Sequence, residues 1–174
     1  MVKYHIDYNF NKKYNLTYGE LTNEGLKTML SGIDTDNKVF YDLGSGKGSV
    51  VINAINNFKN LKKAVGIEIV KDRHNDAVKR REEEDLKDKI EFIEEDIFSD
   101  KVSLKDADII YISNLCFNEE MNNNIAKKID NEVKSGTIVF TSRKIPLENV
   151  SETSNTSVKQ TWMNGSNIYI NKIK

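Results

Sequence analysis

Strands alternating with helices, a glycine turn closing the first strand and an antiparallel pair at the C-terminus predict an α/β fold. The expected architecture is a doubly wound, mostly parallel seven-stranded sheet that finishes in a C-terminal antiparallel hairpin. Three observations carry this. Apolar runs of strand length recur along the chain, separated by stretches with helical spacing. One run ends in Asp42-Leu43-Gly44-Ser45-Gly46-Lys47-Gly48 and passes directly into Val50-Val51-Ile52 of a helix. Near the end, Asn164-Gly165 separates two β-rich runs, the strongest short-range hairpin signal.

In order, Leu21–Leu30 has helical spacing with Leu26, Met29 and Leu30 apolar; Thr22 suits an N-cap and Gly32 a stop. Val39–Leu43 is the first strand, and Ser49–Phe58 the helix behind the glycine turn. Ala64–Ile69 reads as a buried strand, Asp72–Leu86 as a polar helix and Ile90–Ile93 as a third strand. Ala107–Ile112 is apolar apart from Asp108 and reads as a strand buried on both faces. Asn118–Val133 is helical, then Gly136 leads into the strand Thr137–Thr141. Ser151–Ser157, rich in Ser, Thr and Asn, reads as a loop before the hairpin strands Val158–Met163 and Asn167–Ile173. There is no internal repeat or long linker.

The 174 residues are 38% hydrophobic and 30% charged, which suits one soluble globular domain. No apolar run approaches the roughly 20 residues of a membrane span, and the N-terminus lacks an apolar signal core. The single Cys116 excludes an internal disulfide framework and fits a reducing compartment, so an intracellular setting, cytoplasm or nucleus, is expected. His5, His74 and Cys116 are isolated from one another, so no metal site is expected. A net charge of −1 gives no global attraction for nucleic acid or an anionic membrane.

The strand–glycine turn–helix unit lets a nucleotide-like ligand approach backbone N–H groups closely. Its spacing discriminates among ligands. A dinucleotide fingerprint would place its third glycine where Ser49 stands. A phosphate-binding P-loop would need Ser or Thr where Gly48 stands and glycine where Tyr41 stands. The remaining pattern, acid-x-Gly-x-Gly-x-Gly, is the one used by S-adenosylmethionine (SAM) enzymes, and it puts Asp42, Gly44, Ser45, Gly46 and Gly48 around that cofactor. Asp42 is expected to order the loop and to favour the sulfonium electrostatically. Glu68, followed by Ile69, comes about 20 residues after the loop, where an acid accepts from ribose hydroxyls. Asp96 follows the third strand and suits the adenine amino group, with Ile97 or Phe98 packing near the base. Ser113 and Asn114 lie where the fourth strand runs out, at the carboxyl edge where ligands of such sheets bind. Cys116 reads as a buried spacer, Lys47 as solvated, and Arg80-Arg81-Glu82-Glu83-Glu84-Asp85 as a solvated helix face.

Several segments together resemble the histone-lysine methyltransferases of the disruptor-of-telomeric-silencing type, a family of class I, Rossmann-like SAM-dependent methyltransferases. Tyr18-Gly19-Glu20 followed by Thr22 resembles that family's Tyr-Gly-Glu-Thr segment. Asp42 through Val51 matches its glycine loop, and Ser113-Asn114-Leu115-Cys116-Phe117 sits where it has Asn-Asn-Phe-Ala-Phe. Thr161-Trp162, with Tyr169 seven residues after the tryptophan, resembles its terminal hairpin. The resemblance implies residues 1–21 as a lid segment carrying Tyr18 and Glu20, with Thr22 opening a methyltransferase domain over 22–174. It implies Glu68 and Asp96 as nucleoside ligands and Trp162 and Tyr169 as walls of a lysine channel. It further implies a SAM-dependent N-methyltransferase acting on a lysine side chain of a protein substrate. The family's first channel asparagine falls on Ser113, so the acceptor is oriented by Ser113 or by Asn114. With net charge −1 and no basic tail, nucleosome or DNA binding is not expected. Alternatives are methylation of a small-molecule amine or of RNA, or a non-catalytic SAM-binding module.

Overall fold

The computed structural model describes residues 20–174. The elements are α1 (Asn23–Met29), β1 (Val39–Leu43), α2 (Ser49–Asn57), β2 (Lys63–Glu68), α3 (Lys71–Glu83), β3 (Ile90–Glu94), β4 (Ile109–Ile112), α4 (Glu119–Glu132), β5 (Ile138–Thr141), β6 (Val150–Gln160) and β7 (Met163–Ile173). One sheet has the order β3-β2-β1-β4-β5-β7-β6. Its first five strands are parallel, and β7 is antiparallel to both β5 and β6. The predicted seven-stranded, doubly wound sheet is therefore the observed one.

Period-2 alternation sorts the strand residues between two apolar layers. Phe40 on β1, Ile109 and Tyr111 on β4 and Phe140 on β5 join Leu26 and Met29 of α1 and Val50, Val51 and Ile55 of α2. Val39, Tyr41 and Leu43 of β1 join Ile110 and Ile112 of β4 and Ile125 and Ile129 of α4 on the other side. Both faces of the central strands are covered, which is why β1 and β4 are apolar throughout except at Asp42. The chain passes from β1 outward through β2 to β3, then returns to place β4 on the other side of β1. That reversal opens a crevice beyond the carboxyl ends of β1 and β4, the usual ligand position in such sheets.

Two expectations about the C-terminus are corrected. The segment Ser151–Ser157 is not a loop but most of β6. Along Ser151–Ser157 it is an edge strand paired with β7 and mostly exposed, so nothing requires apolar side chains there. Nor is Asn164-Gly165 the hairpin turn. Gln160 pairs with Met163, leaving Thr161-Trp162 as a two-residue connection. The register shifts between the Val158–Ser166 and Gln160–Met163 pairs, so β7 carries one extra residue, and Gly165 has φ +82°. The left-handed preference of Asn-Gly is used for a bulge instead.

The hairpin also overshoots the sheet. The β5–β7 register ends at Thr141–Tyr169, so Met163–Ile168 run on beyond the carboxyl end of β5. Val158 and Ile168 are buried against the α1 layer. The chain before α1 closes onto this tip: Thr161 N–H donates to the Glu20 carbonyl at 2.9 Å and Thr22 N–H to the Lys159 carbonyl at 3.2 Å. Thr22 also caps α1 as predicted, its Oγ1 accepting Gly25 N–H at 3.0 Å while donating to the Lys159 carbonyl at 2.9 Å. Glu20 and Thr22 thus add a short strand-like segment to the hairpin; Tyr18 lies outside the described residues.

Candidate active site

The glycine loop between β1 and α2 is bound to the end of β2. Gly44 and Ser45 N–H groups both donate to the Ile67 carbonyl, at 2.8 and 2.9 Å. Gly46 N–H donates to Glu68 Oε2 at 2.8 Å, and Val70 N–H to Glu68 Oε1 at 2.8 Å. Glycine is required at position 48, where φ is +78° and a Cβ would stand 2.4 Å from the Phe92 ring. Gly44, by contrast, is exposed, leaving its backbone open to a ligand. The Ser45 hydroxyl is buried without a partner, as a group awaiting a ligand would be.

Arg80, read from sequence as part of a solvated face, instead reaches back from α3 to this loop. Its Nη1 donates to the Lys47 carbonyl at 3.1 Å and to Ser49 Oγ at 2.7 Å. Arg81 Nη1 donates to the Ile90 carbonyl at 3.4 Å, and Lys47 is paired with Asp76 at 3.2 Å. Charges at helical spacing read as solvent-facing because the sequence does not say which side of the helix meets a neighbour.

Three carboxylates gather at the mouth of the loop. Asp42 is buried, and its carboxyl is pushed well above the usual range by that burial and then by the nearby Glu20 and Glu68. Such crowding penalises anions and favours a bound cation. SAM carries a sulfonium and an ammonium, so the donor set fits this cofactor. Glu68 has used one lone pair on each oxygen, leaving acceptor capacity for ribose hydroxyls. Beyond it, Ile69 is half-buried and Ile97 buried. Asp96 Oδ1 accepts Phe98 N–H at 3.0 Å, which bends the chain after β3, and Phe98 packs on Phe117 with ring centroids 6.2 Å apart. His74, considered in the sequence only as a possible metal ligand, lies within electrostatic reach of Glu94 and Glu68; burial holds its pKa down.

On the acceptor side the structure separates the two candidates. Ser113 is half-buried just past β4. Asn114 is 0% exposed and its amide is consumed internally. Its Nδ2 donates to Asn122 Oδ1 at 2.8 Å and to the Arg143 carbonyl at 3.2 Å, while its Oδ1 accepts Arg143 N–H at 2.8 Å. Asn114 therefore clasps α4 and the post-β5 loop, while Ser113 is the more open of the two. Tyr169 is half-buried opposite Thr141 at the carboxyl end of β5, with the Lys144 ammonium 5.6 Å from its ring centroid. Trp162 is not beside it. It occupies the hairpin connection, 43% exposed, separated from Tyr169 by about 20 Å of strand. The turn position explains this, since a residue in the connection points outward from the ribbon.

Among the described residues, no group of three or more His, Cys, Asp or Glu is placed to hold a metal ion, and no helix is long and apolar enough to cross a membrane. The sequence matches the family described as "Histone methylation protein DOT1" over residues 6–172. A protein-lysine N-methyltransferase of Saccharolobus islandicus (strain REY15A) is 32% identical over 101 residues, which is 58% of this chain and 59% of that protein. The match thus spans less than two thirds of that relative. Among solved structures, an RNA methyltransferase from Salinibacter ruber in complex with S-adenosyl-L-homocysteine is 25% identical, with TM-score 0.65, over 85% of this chain and 89% of its own. A putative methyltransferase from Escherichia coli, 11% identical with TM-score 0.67 over 87% of this chain and 84% of its own, shares the fold. The class I fold, the glycine loop and these relatives make the protein a SAM-dependent methyltransferase. Matching along nearly all of its length, the chain belongs to the DOT1 histone methylation protein family.

Proposed function

We propose that this enzyme methylates the side-chain amine of a lysine in a protein substrate. The observation that carries the reading is at Tyr169, whose ring already receives a lysine ammonium, that of Lys144, at the carboxyl edge of the sheet. An aromatic face there packs a lysine stem and draws in the incoming ammonium by cation–π attraction. Desolvation then favours the neutral amine, which is the nucleophile. The family membership and the name of the S. islandicus relative support the same substrate class.

SAM supplies an electrophilic methyl group on a positively charged sulfur. Around it, Asp42 and Glu20 provide compensating negative charge, Glu68 and Ile69 hold the ribose end, and Asp96 and Ile97 border the base. The loop residues Gly44, Ser45, Gly46 and Gly48 let its chain lie close to the backbone. Glu20, with Thr22 after it, borders the cofactor from the segment held against the hairpin tip. Ser113 orients the acceptor, and Tyr169 walls its channel. No side chain needs to act as a strong base, because a positioned amine loses its proton to water; alignment and electrostatics supply the rate. A net charge of −1 argues for a substrate other than intact nucleosomes.

The RNA methyltransferase relative favours RNA as the second reading. Incubation with methyl-tritiated SAM and a cell lysate, split between protease and ribonuclease treatment, separates the two. The expected label is protease-sensitive and recovered as methyl-lysine after hydrolysis. Ribonuclease-sensitive label would replace lysine with RNA as the acceptor.

A further inference from the structure

Gln160, the last residue of β6, is 3% exposed, and both polar atoms of its side-chain amide are buried with no hydrogen-bond partner. Alternation explains the burial. Ser157 and Lys159 face solvent, while Val158 and Gln160 turn to the opposite side, where Val158 joins the α1 layer. Gln160 forms an antiparallel bridge with Leu21, which is buried in the same layer. The start of α1 packs against this strand so closely that a Cβ on Gly25 would stand 2.1 Å from the Lys159 carbonyl. Water is thus shut out from the α1 side.

The amide also sits one residue from the mouth of the crevice. Thr161, next in the chain, is bonded to Glu20 twice, its N–H donating to the Glu20 carbonyl at 2.9 Å and its Oγ1 accepting the Glu20 N–H at 3.1 Å. From that place the Glu20 carboxylate acts on both Asp42 and Tyr111. Two orphaned polar atoms are a standing cost to the ligand-free fold, one that a methionine of similar size would avoid. A polar ligand group that pairs with them removes the cost.

An amide presents donors on its nitrogen and an acceptor on its oxygen, side by side. The amino-acid tail of SAM carries the complementary pair, a carboxylate and an ammonium on one carbon. Asp42, Glu20 and Glu68 suit the sulfonium and the ammonium but repel the carboxylate. A tail lying among these acids therefore needs a donor without negative charge. We propose that Gln160 binds the amino-acid tail of SAM, its Nε2 donating to the carboxylate and its Oε1 accepting from the ammonium. The C-terminal hairpin then supplies a cofactor-binding residue of its own, joined through the Leu21 bridge to the segment that carries Glu20.

Decarboxylated SAM keeps the nucleoside, the sulfonium and the ammonium and lacks only the carboxylate, so it isolates the contact without any methyl acceptor. Calorimetric affinities for SAM and for decarboxylated SAM are compared in the full chain, in Gln160→Met and in Gln160→Leu, beside melting curves of the ligand-free proteins. The expected result is a parent that prefers SAM at least tenfold. Both variants should lose SAM affinity fivefold or more, hold decarboxylated SAM within twofold and melt no lower than the parent without ligand. Unchanged SAM affinity, parallel losses for both ligands, or a parent that binds the two equally would each overturn the assignment. So would ligand-free variants that both melt lower, because the amide would then already be satisfied within the fold.

Discussion

Glu68, the last residue of β2, holds the glycine loop that follows β1, its Oε2 accepting the Gly46 N–H at 2.8 Å. Through Oε1 it also fixes Val70 N–H, so one carboxylate sets both the cofactor loop and the approach to α3. Exchanging Glu68 for glutamine puts an NH2 group against one of these donors. Glu68→Gln is expected to weaken SAM binding at least tenfold, about 1.4 kcal/mol, because bonds to a charged acceptor are the stronger kind. It should also lower unfolding free energy by about 1–3 kcal/mol. Isothermal calorimetry and urea denaturation check both, and unchanged values in both would remove Glu68 from this role.

The crowded Asp42 gives a pH signature. Its carboxyl is raised in the folded state, so folded protein binds that proton more tightly than unfolded protein. Its contribution to stability is therefore lost as pH rises from the ordinary carboxyl range, near about 4, through the raised folded value. Asp42→Asn should melt higher than the parent at neutral pH when ligand-free, with the difference vanishing at acid pH. SAM affinity should fall at least tenfold in the same variant, since the compensating negative charge is gone. Melting curves across pH with and without SAM test the pair of effects; a variant that melts lower at pH 7 would contradict the first.

Asn114 and Ser113, adjacent in sequence, should fail in different ways. Asn114→Ala removes three hydrogen bonds among buried groups and should cost about 2–4 kcal/mol of stability. Ser113→Ala should leave stability within about 0.5 kcal/mol and reduce turnover with SAM binding intact. Denaturation midpoints alongside methyl-transfer rates distinguish them. A destabilised Ser113→Ala with normal turnover per folded molecule would reverse the assignment.

The hairpin aromatics should separate in the same manner. Tyr169→Ala is expected to suppress turnover at least tenfold and to spare cofactor affinity. Trp162→Ala, at an exposed connection, should change stability by no more than about 0.5 kcal/mol and leave turnover within twofold. Equal losses from the two substitutions would show that the hairpin tip reaches the acceptor after all.

The parallel sheet, the glycine loop and the acid closing β2 were readable because each is signalled within a few residues. Apolar runs such as Val39–Leu43 announce burial on both faces, and the spacing of Gly44, Gly46 and Gly48 already excludes rival nucleotide loops. Glu68 followed from its distance past that loop. What the chain's order of letters left open was pairing at long range. A polar edge strand and a polar loop have the same composition, so β6 emerged only from its register with β7. Asn-Gly fits a turn or a bulge equally, and only the Gln160–Met163 pair moved the turn onto Trp162. Asn114 and Ser113 were interchangeable until Arg143 and Asn122 claimed one of them. Tyr111 met Asp42, and Arg80 met the glycine loop, through contacts between elements distant in sequence. Local conformational preference is written residue by residue, whereas the identity of a side chain's neighbour depends on how whole elements dock, and that is decided by the packing of the complete chain.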